Sequence, residues 1–100
     1  MKRTKRTYVM NCYPGHGYGV VPTMDIVDFD AIGLISNYSY LNKYGTTAYL
    51  EEDSDFPKYI KHLENKGVQV IVKLKHLEDD RKIRSMSGFG EVKNTVFQNY

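Results

Sequence analysis

The residues best suited to chemistry lie in one glycine-rich run: Gly15, His16, Gly17, Tyr18 and Gly19. Three glycines in five residues let the backbone adopt positive φ angles and turn amide groups toward one point, which can cradle an anion. An imidazole such as that of His16 donates hydrogen bonds, contacts phosphate or transfers protons near neutral pH. The spacing lacks both the dinucleotide fingerprint and the ending of a P-loop. A connection that needs glycine only for its conformation therefore explains the run equally well.

The second polar group is a run of carboxylates: Glu51, Glu52, Asp53 and Asp55. Acidic residues are favoured at the start of a helix, so Asp53 or Asp55 is expected to cap a helix while the others face solvent. Glu51 has a second interpretation, in which it orients His16 or Arg84 or binds the hydroxyl groups of a ligand. If the protein is an enzyme, His16 with one of these acids is the acid/base pair that the sequence nominates.

The chain has nine tyrosines and no tryptophan. Six of them flank the glycine run or belong to a predicted hairpin: Tyr13, Tyr18, Tyr38, Tyr40, Tyr44 and Tyr49. Such rings can form a stacking floor for a nucleobase, although tyrosine also suits a half-buried sheet surface. Arg81, Lys82 and Arg84 offer positive charge for a phosphate, or they belong to a solvated turn.

Other side chains argue against a metal or a disulfide framework. Cys12 is the single cysteine, and His62 and His76 show no paired ligand spacing, so we expect no metal site and no cofactor. His62 is expected to make a hydrogen bond at a helix edge, and Cys12 to be a small buried apolar residue. No apolar leader follows the first six residues, so the sequence predicts a cytoplasmic protein without a membrane span.

Hydrophobic periodicity predicts the elements that position these residues. Strands are expected over 7–13, 35–41, 46–51 and 68–75, a helix from Thr23 that ends at Gly33, an amphipathic helix over 54–66, a loop over 14–19, a turn over 42–45 and an edge strand over 82–86. This order predicts an α+β fold: a small, mostly antiparallel sheet with one short and one longer amphipathic helix packed on one face.

Charge is unevenly distributed along the chain. The formal net charge is +2, and Lys2, Arg3, Lys5 and Arg6 supply four positive charges, which leaves −2 for residues 7–100. We predict a basic flexible arm over 1–6, one compact domain over 7–90 and a mobile tail over 91–100. A folded body with negative net charge does not suit nucleic-acid binding, which needs clustered lysine and arginine.

Several of these segments together resemble a family of small domains encoded by bacteriophages and bacterial mobile elements. The resemblance covers roughly residues 12–86 and is carried by the glycine run with Val20-Val21-Pro22, by Tyr38-Ser39-Tyr40, by the segment from Tyr49 to Asp55 and by Ile83-Arg84. Tyr18 stands where tryptophan would be expected. The resemblance implies no particular activity, but it implies that the glycine run, residues 51–55 and Arg84 converge on one site.

The sequence therefore predicts a small binding protein rather than an enzyme. Its ligand is expected to be an anionic or nucleotide-like small molecule, such as a host defence signal, held by the glycine run with Glu51 and Arg84, with a homodimer enlarging the buried surface. One alternative is an inhibitor that binds a host protein through its tyrosine-rich hairpin. Another is a weak single-stranded nucleic-acid binder that uses the basic arm.

Overall fold

A six-stranded sheet is the centre of the computed structural model, which describes residues 4–91. Its strands are β1 (Lys5–Tyr13), β2 (His16–Pro22), β3 (Tyr40–Leu41), β4 (Thr47–Glu51), β5 (Gln69–His76) and β6 (Ser87–Gly88). The helices are α1 (Thr23–Asp28), α2 (Asp55–Asn65) and α3 (Arg81–Arg84), with a 3-10 turn at Ile32–Leu34. The strand order is β5-β1-β2-β4-β3-β6, and all pairs are antiparallel except β1 with β5. The predicted α+β class with a mostly antiparallel sheet is confirmed.

The first hairpin is much tighter than the predicted loop over 14–19. Tyr13 pairs with His16, so only Pro14 and Gly15 form the turn. Proline presets φ at the first turn position, and Gly15 has φ +83°, which glycine adopts without a steric penalty. The prediction of a loop as far as Gly19 is wrong, because the chain returns at once as β2 and pairs with β1 and β4.

Helix α2 connects β4 to β5 and covers one face of the sheet. Because β2 and β1 lie between β4 and β5 in the sheet, the connection crosses both strands before the chain re-enters the sheet parallel to β1. Phe56, Tyr59 and Leu63, from the predicted apolar stripe, are buried against the core. The predictions of this helix, of the strand over 46–51 and of the strand over 68–75 are confirmed within a few residues.

The two faces of the sheet have different surroundings. Side chains alternate along a strand, so Gly17, Gly19 and Val21 of β2 point toward α2, on what we call the helix face. His16 and Tyr18 point to the opposite side, which we call the open face. Asp80, which directly precedes α3, contacts His16 there, so the finer prediction that the helices pack on one face is not confirmed.

Two predicted elements in the first half of the chain differ from the structure. Helix α1 ends at Asp28, and the left-handed residue after it is Asp30, with φ +55°, rather than Gly33. The strand predicted over 35–41 is reduced to Tyr40–Leu41, because Ser36 and Ser39 are hydrogen-bonded to Asp55 instead of continuing a ladder. The predicted turn over 42–45 is confirmed by the hydrogen bond from Gly45 N to Asn42 O (3.0 Å).

The two ends of the chain also differ from expectation. β1 begins at Lys5 because Lys5 and Arg6 pair with Gln69 and Val70 of β5, so these two residues belong to the sheet and not to an arm. The edge strand predicted over 82–86 is wrong, because residues 82–84 belong to α3 and residues 85 and 86 lie between α3 and β6. Residues 1–3 of the predicted arm and 92–100 of the predicted tail lie outside the described residues. No helix within residues 4–91 has the length and apolar character needed to cross a membrane.

A buried pair of tyrosine hydroxyls makes the stability of this fold depend on pH. The Tyr8 hydroxyl donates to Asp25 Oδ2 (2.7 Å) and lies 2.8 Å from the Tyr59 hydroxyl. Burial raises the pKa of both phenols above the ordinary value of about 10. Above that pH the unfolded chain releases protons that the folded chain retains. The free energy of unfolding is therefore intact below pH ~10 and falls by up to about 1.4 kcal/mol per pH unit for each tyrosine above it.

Urea denaturation between neutral pH and pH ~11 measures this slope. Tyr59→Phe removes one of the two buried phenols. The free energy of unfolding is therefore expected to fall less steeply above pH ~10, by up to about 1.4 kcal/mol per pH unit, which corresponds to one proton. Tyr44→Phe is the matched control, because Tyr44 is 73% exposed. Equal slopes in the wild type and Tyr59→Phe would contradict the assignment.

Candidate functional site

An open cleft of about 520 Å³ lies at one end of the open face. It is lined by His16, Tyr18, Tyr38, Tyr40, Glu51, Ser54 and Arg84. Four of these residues, His16, Tyr18, Glu51 and Arg84, were predicted as ligand-binding residues from the sequence. They come from β2, β4 and α3, so the structure brings together side chains that are far apart in the chain.

Strand register explains how the cleft is built. Tyr18 of β2 is directly opposite Glu51 of β4, and Tyr40 of β3 is opposite Tyr49 of β4. Directly paired residues share a face, so Tyr18, Glu51 and Tyr40 all project from the open face. His16 joins them because it lies two residues before Tyr18 on the same strand.

Asp80 connects the two basic groups of the cleft. Its Oδ2 atom is in short contact with His16 Nε2 and lies 4.0 Å from Arg84 Nε. Only 14% of the Asp80 side chain is exposed, whereas the Arg84 side chain is 64% exposed. Asp80 was not among the site residues predicted from the sequence. The one available signal was its position four residues before Arg84, the spacing of an ion pair on a helix.

Aromatic rings form one wall of the cleft. Tyr18 makes edge-on contacts with His16 (5.9 Å between ring centroids) and Tyr40 (5.8 Å), while Tyr13 stacks on His16 at 5.8 Å. Burial raises the pKa of the Tyr18 phenol, with a smaller contribution from Tyr40. Tyr18 is therefore neutral at physiological pH and acts as an uncharged ring with a hydroxyl.

The glycines take a different place from the one predicted. Gly15 forms the exposed hairpin turn, while Gly17 and Gly19 point to the helix face of a strand paired on both sides. A Cβ atom at Gly19 would lie 2.3 Å from the Phe56 ring, so this glycine allows α2 to approach the sheet. The structure does not bring Gly17 or Gly19 into the cleft as an anion cradle.

The four carboxylates separate into different environments. Glu51 lines the cleft and accepts a hydrogen bond from Asp53 N (3.0 Å), but Asp80 rather than Glu51 contacts His16 and Arg84. Asp55 is fully buried and accepts hydrogen bonds from Ser36 N, Ser36 Oγ and Ser39 Oγ. The prediction that Asp53 or Asp55 caps the helix is wrong: the N-cap residue is Ser54, which makes no side-chain cap hydrogen bond, and the Asp55 carboxylate joins α2 to the chain before β3.

The remaining chemistry-bearing residues lie away from the cleft. His62 Nε2 bonds to Phe29 O (2.7 Å), which confirms the predicted hydrogen bond at the helix edge. Cys12 is half-buried. Within residues 4–91, no three histidine, cysteine, aspartate or glutamate side chains are grouped so as to hold a metal ion.

Comparison with protein-family models, with curated proteins and with solved structures gives no match to this chain. The function of the cleft must therefore be inferred from its own geometry and chemistry.

Proposed function

We propose that the cleft binds a small nucleotide-like molecule, with a planar ring between tyrosines and polar groups at Glu51 and Arg84. The observation that carries the proposal is the convergence of His16, Glu51 and Arg84 on one tyrosine-lined cavity. A volume of about 520 Å³ lies within the range of pockets that hold small ligands.

The aromatic wall suits a planar ring. Tyr18 is buried and held edge-on against Tyr40, so these two rings present a fixed surface. Tyr38 is 74% exposed at the mouth of the cleft and is free to cover a bound ring. Stacking on aromatic side chains contributes about 1–3 kcal/mol per base in proteins that bind single-stranded nucleic acids.

The charges favour a ligand that combines hydrogen-bond donors with an anionic group. Glu51 offers carboxylate oxygens to an exocyclic amine or to sugar hydroxyls, and Arg84 offers donors to a phosphate or carboxylate. Asp80 balances the charge of Arg84 and Glu51 adds a second carboxylate, so the cleft has no excess of positive charge. A bare polyanion is therefore a poorer match than a nucleotide.

A thermal unfolding screen against mono-, di- and cyclic nucleotides tests this proposal. A ligand at about 100 times its dissociation constant stabilises the folded state by about 2.7 kcal/mol, which raises Tm by roughly 10 °C in a domain of this size. Arg84→Ala and Glu51→Gln are expected to lose most of that shift. Arg81→Ala is the matched control, since Arg81 lies on the same helix, has a side chain 89% exposed and pairs with Asp79 outside the cleft.

Absence of a shift across the whole panel, or an equal loss in Arg81→Ala, would overturn the proposal. In a bacteriophage or mobile element, as the resemblance implies, capture of a host signalling nucleotide would counter host defence. The host-protein inhibitor and the nucleic-acid-binding arm remain predictions of the sequence.

A second candidate function is proton transfer on the bound ligand. It is favoured by the contact between His16 Nε2 and Asp80, because a carboxylate on one ring nitrogen orients an imidazole for acid–base chemistry. Mass spectrometry after long incubation with any nucleotide that binds distinguishes the two. A new product that disappears in His16→Gln supports turnover, whereas unchanged ligand supports binding alone.

A further inference from the structure

A second cavity, of about 630 Å³, lies beside the cleft between α3 and the turn that joins β3 to β4. We call it the basic groove. It is lined by Asn42, Lys43, Tyr44, Tyr49, Lys82, Ser85, Met86 and Ser87. The lining contains two lysines, two serines and two tyrosines, and it contains no acidic residue.

The lysines of the basic groove differ from the arginines nearby. Arg81 lies 2.7 Å from Asp79, and Arg84 lies 4.0 Å from Asp80. No ion pair within residues 4–91 involves Lys43 or Lys82. The Lys43 ammonium lies 5.0 Å from the centre of the Tyr44 ring, a cation–π contact that supplies no opposite charge. The groove therefore carries an excess of positive charge, whereas the cleft does not.

The backbone that carries both lysines is held in place. Asn42 Oδ1 accepts hydrogen bonds from Thr46 N (2.9 Å) and Thr47 N (3.2 Å), which fixes the turn containing Lys43. Lys82 lies on α3, where Ser85 Oγ donates to its carbonyl (2.8 Å). Two cations on fixed backbone lower the cost of ordering on binding.

We propose that the basic groove binds a phosphate-type oxyanion through Lys43 and Lys82. The hydroxyls of Ser87 and Tyr49 add hydrogen-bond donors of the kind that phosphate oxygens accept. Tyr49 in the groove is directly paired with Tyr40 in the cleft, so the two cavities are neighbours. The groove thus supplies the positive charge that the cleft lacks. Oxyanion binding in the groove does not depend on the function proposed for the cleft.

Calorimetric titration with inorganic pyrophosphate at low ionic strength tests the groove alone. The wild type is expected to bind, and the double variant Lys43→Gln/Lys82→Gln to bind at least about tenfold more weakly, because two charge-assisted contacts are lost. Lys58→Gln/Lys66→Gln is the matched control, since it removes the same charge from exposed positions on and just after α2. Thermal unfolding of each variant verifies that it is folded.

Arg84→Ala separates this inference from the function proposed for the cleft. This variant is expected to bind pyrophosphate with the affinity of the wild type, whether or not it still binds a nucleotide in the cleft. The inference is overturned if the wild type does not bind pyrophosphate, or if both lysine pairs weaken it equally. The inference is also overturned if Arg84→Ala abolishes pyrophosphate binding while Lys43→Gln/Lys82→Gln retains it.

Discussion

Replacing Gly19 with alanine is expected to lower the free energy of unfolding by about 3 kcal/mol. The new Cβ atom would lie 2.3 Å from Phe56 Cδ1 and 2.4 Å from its Cε1 and Cγ. Phe56 is 3% exposed and packed in the core, so its ring cannot move aside without separating α2 from the sheet. Urea denaturation followed by circular dichroism measures the loss.

Two comparisons isolate the cause of this effect. Gly17→Ala is expected to cost less, about 1 kcal/mol, because its nearest neighbours, the Glu52 carboxylate at 3.0 Å and the backbone oxygen of Asn11 at 3.1 Å, are farther from the new Cβ atom than the Phe56 ring is from that of Gly19. In a Phe56→Ala background the obstructing ring is absent, so Gly19→Ala is expected to cost little further. An equal cost of Gly19→Ala in both backgrounds would show that the close approach to Phe56 is not the reason.

Elements with a strong local pattern could be predicted from the sequence. The stripe of Phe56, Tyr59 and Leu63 defines α2, and the alternation along 68–75 defines β5, because each pattern reports one buried face. The strand predicted over 35–41 failed for the opposite reason. Its serines are held by a carboxylate from α2, and a hydrogen bond of that kind leaves no periodic signal.

The glycine run shows why the site was only partly predictable. The spacing of the three glycines does not reveal that Gly15 is needed for a turn and Gly19 for the approach of Phe56. The membership of His16, Glu51 and Arg84 in one cleft was predicted, yet Asp80 was missed. Its contact with His16 spans 64 residues and depends on how α3 is placed over the open face.

The same tertiary contacts link the core to the cleft. Ser39 Oγ donates to Asp55 Oδ2 (2.5 Å) and accepts a hydrogen bond from Glu51 N (2.9 Å). The backbone of Glu51, whose side chain lines the cleft, is thereby tied to a carboxylate inside the fold. Asp55 thus positions the end of β4 although it does not face the ligand.

Replacing Asp55 with alanine is accordingly expected to lower the free energy of unfolding by about 3 kcal/mol or more. The change removes three hydrogen bonds to a charged acceptor. It also leaves the hydroxyl of Ser39, a fully buried residue, without its acceptor. Asp55→Asn keeps a carbonyl acceptor without the charge, so it is expected to fall between the alanine variant and the wild type.

Asp53→Ala provides the matched control, since Asp53 belongs to the same acidic run and is exposed. Its effect on stability is expected to stay within about 0.5 kcal/mol. Equal stability of the two alanine variants in urea denaturation would show that the carboxylate network does not hold α2 to the chain before β3. If Asp55→Asn still folds, it should also weaken nucleotide binding more than Asp53→Ala does, because the tie between Ser39 and the backbone of Glu51 loosens.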